Sequence, residues 1–377
     1  MNDTASPPAS VTLPAAGLTA MLARTFEAAG GAADEAEAIA RNLVDANLAG
    51  HDSHGVIRVP RYLDWVAKAY LRFGQKVSVV LENDALVLLD GNHGFGQVLG
   101  RQAVEVGLAK AKRHGVALVA LRKAGHLGRI GAWAEIAADE GYASVHFVNV
   151  TNSMLVAPFG GAGRRMSTAP VAVGVPNPGG DAFILDFSTA KVAEGKVLNA
   201  YKGGKPLPEG SLVDGDGQPS ADPTALYGEV PAGAVPNPRG GPGALVTTGD
   251  HKGSGLAIAC ELLAGALTGS GTSCPGQQAW NGMFSVFLHP DAIDDGHDHA
   301  KTVADYIDFV RACPPADPDQ PVMIPGDPER AHRRERLANG IPLPFETWAS
   351  LLDGAVGQGL DRDAMSALAF DEQRETA

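Results

Sequence analysis

Cysteine is scarce in this chain of 377 residues: Cys260, Cys274 and Cys313 are the only ones, with no paired metal-type spacing. That argues against a disulfide framework or a thiolate zinc site and fits a reducing cytoplasm. Positive charge is scarce as well. The formal net charge is −13 and no long basic run occurs, which argues against a nucleic-acid partner. Long apolar runs are missing too. The most apolar helical stretch, "GLAIACELLAGALTG", is interrupted by Glu261 and is short for a bilayer span, so no membrane partner is expected. The opening "MNDTASPPASVTLP" has neither the basic nor the apolar region of a secretory signal, and residues 1–14 read as a disordered polar tail. What is abundant is core material. Hydrophobic residues make up 45% of the chain, enough for one large domain or two to three smaller ones acting on a small molecule.

Two textures follow each other. Residues 17–49 carry apolar side chains at helical spacing on either side of Gly30-Gly31, which predicts a helical hairpin. A third helix, "RYLDWVAKAY", follows. From residue 85, short β-branched runs ("ALVLLD", "GVALVAL", "ASVHFVNV", "APVAVGVP") alternate with helical patterns, which predicts an α/β sheet. Residues 203–243 are dense in Gly, Pro and Asp and read as a long irregular connection.

Four stretches carry candidate chemistry. "LAGHDSHGVIRVPRY" (48–62) gathers His51, Asp52, Ser53, His54, Arg58, Arg61 and Tyr62. It can be read as a metal site on His51, Asp52 and His54, as a proton-transfer site with Arg58 gripping a carboxylate, or as a capped helix start. In "VALVALRKAGHLGRIGAWAEIAADEG", a strand runs into a glycine-flanked turn at His126, at the end of a strand where α/β sheets bind ligands. "ILDFSTAKVAEGKV" ends a strand at Asp186 and enters a helix through Ser188 and Thr189. "TTGDHKGSGLAIA" sets Lys252 beside a glycine-loosened helix start that suits an anion. The near-fingerprint at Gly94, Gly96 and Gly100 has the spacing G-x-G-x-x-x-G and no following acidic strand end, so these glycines read as a helix-entry turn. The tract "DDGHDH" at 294–299 reads as a solvated loop.

Taken together, "HDSHGVIRVPRY", "GHLGRIGAWAEIAADEG", "VAPFGG", "LDFSTAKVAEGKV", "DHKGSGLAIACELLAGALTG" and "PGDPERAHRRERLANGI" resemble, in order and over roughly residues 15–350, the malate/L-lactate dehydrogenase family. That family also holds ureidoglycolate and sulfolactate dehydrogenases and a cyclic imine-carboxylate reductase. The resemblance implies a homodimeric, cytoplasmic α/β protein with a non-Rossmann nicotinamide-binding sheet domain (81–314). A helical, substrate-side domain would be built from the N- and C-terminal segments (15–80 and 315–377). It implies His126 as proton acceptor, and His54, Arg58 and Tyr62 around the substrate. Thr151, Asn152, Asp186, Phe187, Ser188, Lys252, Pro325, Gly326 and Asp327 match cofactor-contact positions for NAD or NADP.

The expected reaction is hydride transfer between NAD(P)H and a small 2-oxo or 2-hydroxy acid. Reduction of a cyclic imine 2-carboxylate is the alternative, and a metal-dependent lyase or hydrolase on His51, Asp52 and His54 is an alternative of another class. This chain reads "STAP" at 167–170 where the family often has "GTNP", "FSTA" in place of "ATS" or "ATT", and "GDHKGSGL" without the usual aromatic. A changed pocket wall is implied, so the common substrates malate and lactate do not carry over.

Overall fold

The structure is a computed structural model that describes residues 10–201, 205–231, 236–276 and 278–371. In chain order, β1 (Ser10–Leu13), α1 (Ala15–Ala28), α2 (Ala33–Leu48), two 3-10 turns (Asp52–His54 and Val56–Arg58) and α3 (Val59–Ala67) lead to β2 (Ser78–Glu82) and β3 (Leu86–Asp90). Next come α4 (Gly96–His114), β4 (Val116–Ala124), α5 (Gly131–Asp139), β5 (Ala143–Val150), β6 (Pro170–Val175) and β7 (Phe183–Ser188). After α6 (Glu194–Tyr201) the chain forms β8 (Leu212–Val213), β9 (Pro219–Ser220), α7 (Thr224–Tyr227) and β10 (Ala244–Leu245). Then follow α8 (His251–Cys260), a π-helical stretch (Glu261–Leu267), β11 (Asn281–Leu288), a 3-10 turn (Pro290–Ile293), α9 (His299–Arg311), α10 (Asp327–Asn339), β12 (Ile341–Pro344), α11 (Phe345–Gly357) and α12 (Arg362–Ala369).

The fold is mixed α/β. Its seven-stranded sheet runs β2-β3-β4-β11-β5-β6-β7. Only β3 and β4 pair in parallel; every other neighbour pair in that sheet is antiparallel. The apolar stripes of α4 and α5 explain their place: Leu99, Ala103, Val104, Trp133, Ala134 and Ala137 are buried against Leu89, Val119, Leu121 and Phe287 of the sheet. Strand β11 arrives late in the sequence and inserts between β4 and β5, bringing Asn281 opposite both Ala124 and Val150.

A second core joins the two ends of the chain. Leu18, Met21, Leu22, Phe26, Ile39 and Leu43 pack with Ile341, Leu343, Trp348, Leu351 and Met365. The α1–α2 turn uses Gly30 at φ +106°, a conformation costly for any residue with a Cβ.

Three expectations need correction. Residues 10–13 are not part of a loose tail: β1 pairs antiparallel with β12, because Leu13 is buried in the helical core and its backbone completes the ladder; residues 1–9 lie outside the described residues. The boundary at 80/81 cuts through β2, which pairs with β3, so the sheet begins at Ser78. The 203–243 connection carries β8, β9 and α7, with β10 just beyond it completing a three-stranded β10-β8-β9 sheet, and buried Leu212, Leu226 and Tyr227 pack with Val197; residues 202–204 and 232–235 lie outside the described residues.

Candidate active site

The turn after β4 is shaped by backbone contacts more than by its own sequence. Leu127 N–H donates to Asn281 Oδ1 at 2.8 Å, and Gly128 sits at φ +72°. On its other side lies Gly96, where a Cβ would stand 2.2 Å from His126 O. The glycines of the 94–100 stretch therefore permit close packing: a Cβ on Gly100 would meet Trp133 at 2.5 Å. These contacts fix His126 just beyond the end of β4.

The structure brings His126, His54, Tyr62 and Arg58 together. Tyr62 reaches His126 from α3, its Oη 2.6 Å from Nδ1, and Gln97 Nε2 donates to the same Oη at 2.9 Å. The His54 and His126 rings stack at 5.5 Å and 14°. Ser53 Oγ lies 3.0 Å from His54 Nδ1. Arg58 Nε donates to Ser53 O at 2.6 Å, and its two terminal nitrogens have no hydrogen-bond partner among the described residues. Such a fork is ready for a carboxylate.

Burial, reinforced by the charge of Arg58, pushes His54 down to about 3 and holds His126 well below the ordinary imidazole range. Both rings are therefore neutral at pH 7 in the ligand-free protein. Burial also raises Tyr62, to about 12, with Arg58 pulling the other way. An anionic substrate on Arg58 would offset that cation and make His126 a better proton acceptor.

Around this cluster runs a charged frame that the sequence did not announce. The Arg129 side chain, 1% exposed, pairs with Glu135 and with Asp45 at 3.3 Å. Arg333 of α10 also binds Asp45. His51 Nε2 lies 3.1 Å from Glu329 Oε1, and Arg336 binds Asp52 at 2.6 Å. The proposed metal trio is overturned by this arrangement: His51, Asp52 and His54 face Glu329, Arg336 and the His126 ring respectively, so their ligand atoms do not converge. Among the described residues, three or more acidic or histidine side chains converge only around residues 291–299, where they are mostly solvent-exposed.

The positions expected to contact a cofactor fall into three places. Asp186 accepts the Gly131 N–H at 2.8 Å, at the start of α5, and burial raises its carboxyl. Phe187 packs by Val171 and Cys260, and the Ser188 hydroxyl donates to Thr168 O at 2.7 Å. Beside them, Thr248 N–H donates to Thr189 O at 2.8 Å, which docks the entrance of α8 and exposed Lys252 against the end of β7. Asp250 stands at the N-cap without a side-chain capping bond, and the Lys252 and Ser254 N–H groups donate to Gly249 O and Asp250 O, so the His251 and Gly253 N–H groups are the ones that suit a phosphate. Thr151 is buried and tied to the carbonyls of Gln278 and Trp280, whereas Asn152, at φ +55°, lines a cavity of about 200 Å³ with Trp65, Tyr70 and Trp280. Pro325 O accepts from Ile184 N–H at 3.2 Å on β7, and Asp327 is held by Arg311 and Arg330 at 2.7 and 2.6 Å. Gly326 caps α10 at φ +100°. The Thr151, Ser188 and Asp327 side chains thus shape backbone; Lys252, Asn152 and helix-entry N–H groups are the ones with capacity for a ligand.

Two arginines that could otherwise meet a phosphate have partners within the chain: Arg122 is paired with Asp90 at 2.8 Å and Arg164 with the carbonyls of Leu226, Gly241 and Gly243. Sequence reasoning missed Gln97, Asn281, Arg129 and Glu329. The first lay in the stretch examined only for its glycines.

Proteins of similar sequence and shape define the class as an oxidoreductase. Residues 13–352 match the family model for malate/L-lactate dehydrogenase. Hydroxycarboxylate dehydrogenase B of Escherichia coli (strain K12) is 36% identical over 356 residues, covering 93% of this chain and 95% of that protein. The sulfolactate dehydrogenase structure from Methanocaldococcus jannaschii superposes with a TM-score of 0.82 at 28% identity, over 94% of this chain and 99% of that one. The delta1-piperideine-2-carboxylate reductase structure from Pseudomonas syringae pvar. tomato gives 0.78 at 29%, over 91% and 99%. The chain belongs to the malate/L-lactate dehydrogenase family.

Proposed function

We propose that this oxidoreductase interconverts a small 2-hydroxy acid and its 2-oxo acid, with NAD or NADP as the partner. The observation that carries the reading is the joined Tyr62–His126–His54 cluster beside the uncommitted fork of Arg58. When bound, the nicotinamide supplies or takes the hydride. Asp186, Phe187, Ser188, Lys252, Thr151, Asn152 and the 325–327 turn would hold it. Arg58 fixes the substrate carboxylate, His126 gives or takes the proton at the C2 oxygen, and His54 and Tyr62 orient the ring and close the pocket.

A non-Rossmann mode of nicotinamide binding is supported by the sheet, with its single parallel pair, and by the packing role of Gly96 and Gly100. A homodimer is supported by apolar Ile258, Leu262 and Leu267, all exposed along α8 and the π-helical stretch. Three unpaired cysteines favour a cytoplasmic setting. No helix among the described residues is long and apolar enough to cross a membrane.

A second reading, reduction of a cyclic imine 2-carboxylate, is favoured by the likeness to the piperideine-2-carboxylate reductase. It uses the same Arg58 grip but places the proton on nitrogen. The test is a panel of 2-oxo acids and cyclic imines assayed with NADH and with NADPH. Turnover of an oxo acid supports the first reading, turnover confined to imines supports the second, and no oxidation of either cofactor across the panel contradicts both.

A further inference from the structure

The Tyr62–His126 hydrogen bond has a direction, and Gln97 decides it. Gln97, on α4, is 3% exposed; its Nε2 donates to Tyr62 Oη and its Oε1 is buried without a hydrogen-bond partner among the described residues. A primary amide has one donating end and one accepting end. Gln97 and His126 are the two hydrogen-bond partners of Tyr62 Oη among the described residues. With Gln97 donating, the phenol directs its own proton to His126 Nδ1. A neutral imidazole that accepts at Nδ1 carries its proton on Nε2.

The surroundings favour the amide this way round. A Cβ on Gly128 would lie 2.8 Å from Asn42 Oδ1 and 3.9 Å from Gln97 Nε2. Asn42 Oδ1 is itself buried and without a partner, so an unpaired acceptor shares this region with the Gln97 amide. Turning the amide over would set two oxygens in that region.

We propose that Gln97 is a positioning residue that, through Tyr62, holds His126 as the Nε2–H tautomer, so that the resting site offers the substrate oxygen an N–H donor. This rests on the reading of His126 as the proton-transfer group. The charges of Arg58 and Arg61 and the neighbouring His54 ring all face His126 and oppose an imidazolium. A neutral N–H polarises a carbonyl without requiring one; as Nε2–H passes to the substrate oxygen the Tyr62 O–H proton moves to Nδ1, so the ring stays neutral and the charge is left on Tyr62 Oη beside Gln97 Nε2–H, and oxidation runs the same relay in reverse.

The test is nitrogen NMR of the whole protein with 15N-labelled histidine, the His126 signals being those lost in His126→Asn. In the wild type the proton is expected on Nε2. In Gln97→Glu an ionised carboxylate can only accept: Tyr62 turns its proton away from His126, Nδ1–H donates to Tyr62, and the two ring-nitrogen shifts exchange as the introduced carboxyl ionises. Placing Gln97→Glu in a Tyr62→Phe background should abolish that exchange. Gln97→Met, a better fit to a buried site, should leave a mixture of tautomers. A wild-type His126 protonated on Nδ1 overturns the proposal, whatever the variants do. So does an unchanged tautomer in Gln97→Met, or in Gln97→Glu once carbon NMR shows its carboxyl ionised. The measurement needs no turnover. A His126→Asn variant with full turnover would instead remove the functional reading and leave the tautomer result standing.

Discussion

At the scale of single residues, the site divides into side chains that hold backbone and side chains left with capacity for a ligand. Arg58 spends Nε on Ser53 O and keeps its terminal nitrogens; Lys252 stands exposed at a helix entrance. Arg58→Lys should raise the KM for substrate and lower turnover while leaving cofactor affinity unchanged, since an ammonium cannot reproduce a two-pronged grip. Lys252→Ala should do the reverse, weakening cofactor binding with little effect on the chemical step. Titration of nicotinamide fluorescence beside steady-state kinetics separates the two, and equal effects of both variants on cofactor affinity would count against the division. The His126 environment adds a pH signature. Substrate bound to Arg58 offsets a cation that disfavours imidazolium, so the apparent pKa in the kcat profile should lie above that in kcat/KM; coincident values would mean that the substrate charge does not face His126.

At the scale of elements, two glycines on one helix make a controlled pair. Gly96→Ala places a Cβ against the carbonyl of His126, whereas Gly100→Ala meets only the Trp133 ring. Each should destabilise by about 1–3 kcal/mol through overpacking, but only Gly96→Ala should reduce turnover per folded molecule. Melting curves with activity measured well below the melting point decide this, and a Gly96→Ala enzyme of full activity would show that the turn tolerates displacement. The sheet carries a second prediction. His146 on β5 is fully buried between Ser144 and Ser285, and burial lowers it from 6.5 to about 3. Between those values the unfolded chain binds a proton that the folded chain refuses. Stability is therefore complete above 6.5, falls as pH drops, and levels off below about 3, with a slope from this one group of at most about 1.4 kcal/mol per pH unit. His146→Asn should flatten the acid side of a plot of urea midpoint against pH; an unchanged slope would assign the acid sensitivity to other groups.

At the scale of the whole molecule, much of the plan was legible in the sequence. The helical hairpin, the α/β texture and the His126 turn each follow from local periodicity and glycine placement. Sheet order was not legible, because inserting β11 between β4 and β5 depends on pairing across more than a hundred residues. Gln97, Asn281 and Arg129 were hidden for the same reason: an amide or a buried arginine acquires its role from distant neighbours, and nothing in "GFGQVLG" or "AWNGMF" marks it. The exposed Ile258, Leu262 and Leu267 should be covered in solution. Light scattering should give twice the chain mass, and charged substitutions at Leu262 and Leu267 should halve it; a wild-type monomer would refute the dimer.

The most direct test of the whole reading is one comparison of initial rates. Wild-type protein and His126→Asn, each saturated with the reduced nicotinamide that binds, are given the best 2-oxo acid or imine of the panel, and cofactor oxidation is followed. Turnover should fall by about 10²- to 10⁴-fold, the usual share of general acid–base catalysis, with the Kd for cofactor retained. A folded His126→Asn protein that oxidises the cofactor at the wild-type rate would contradict it.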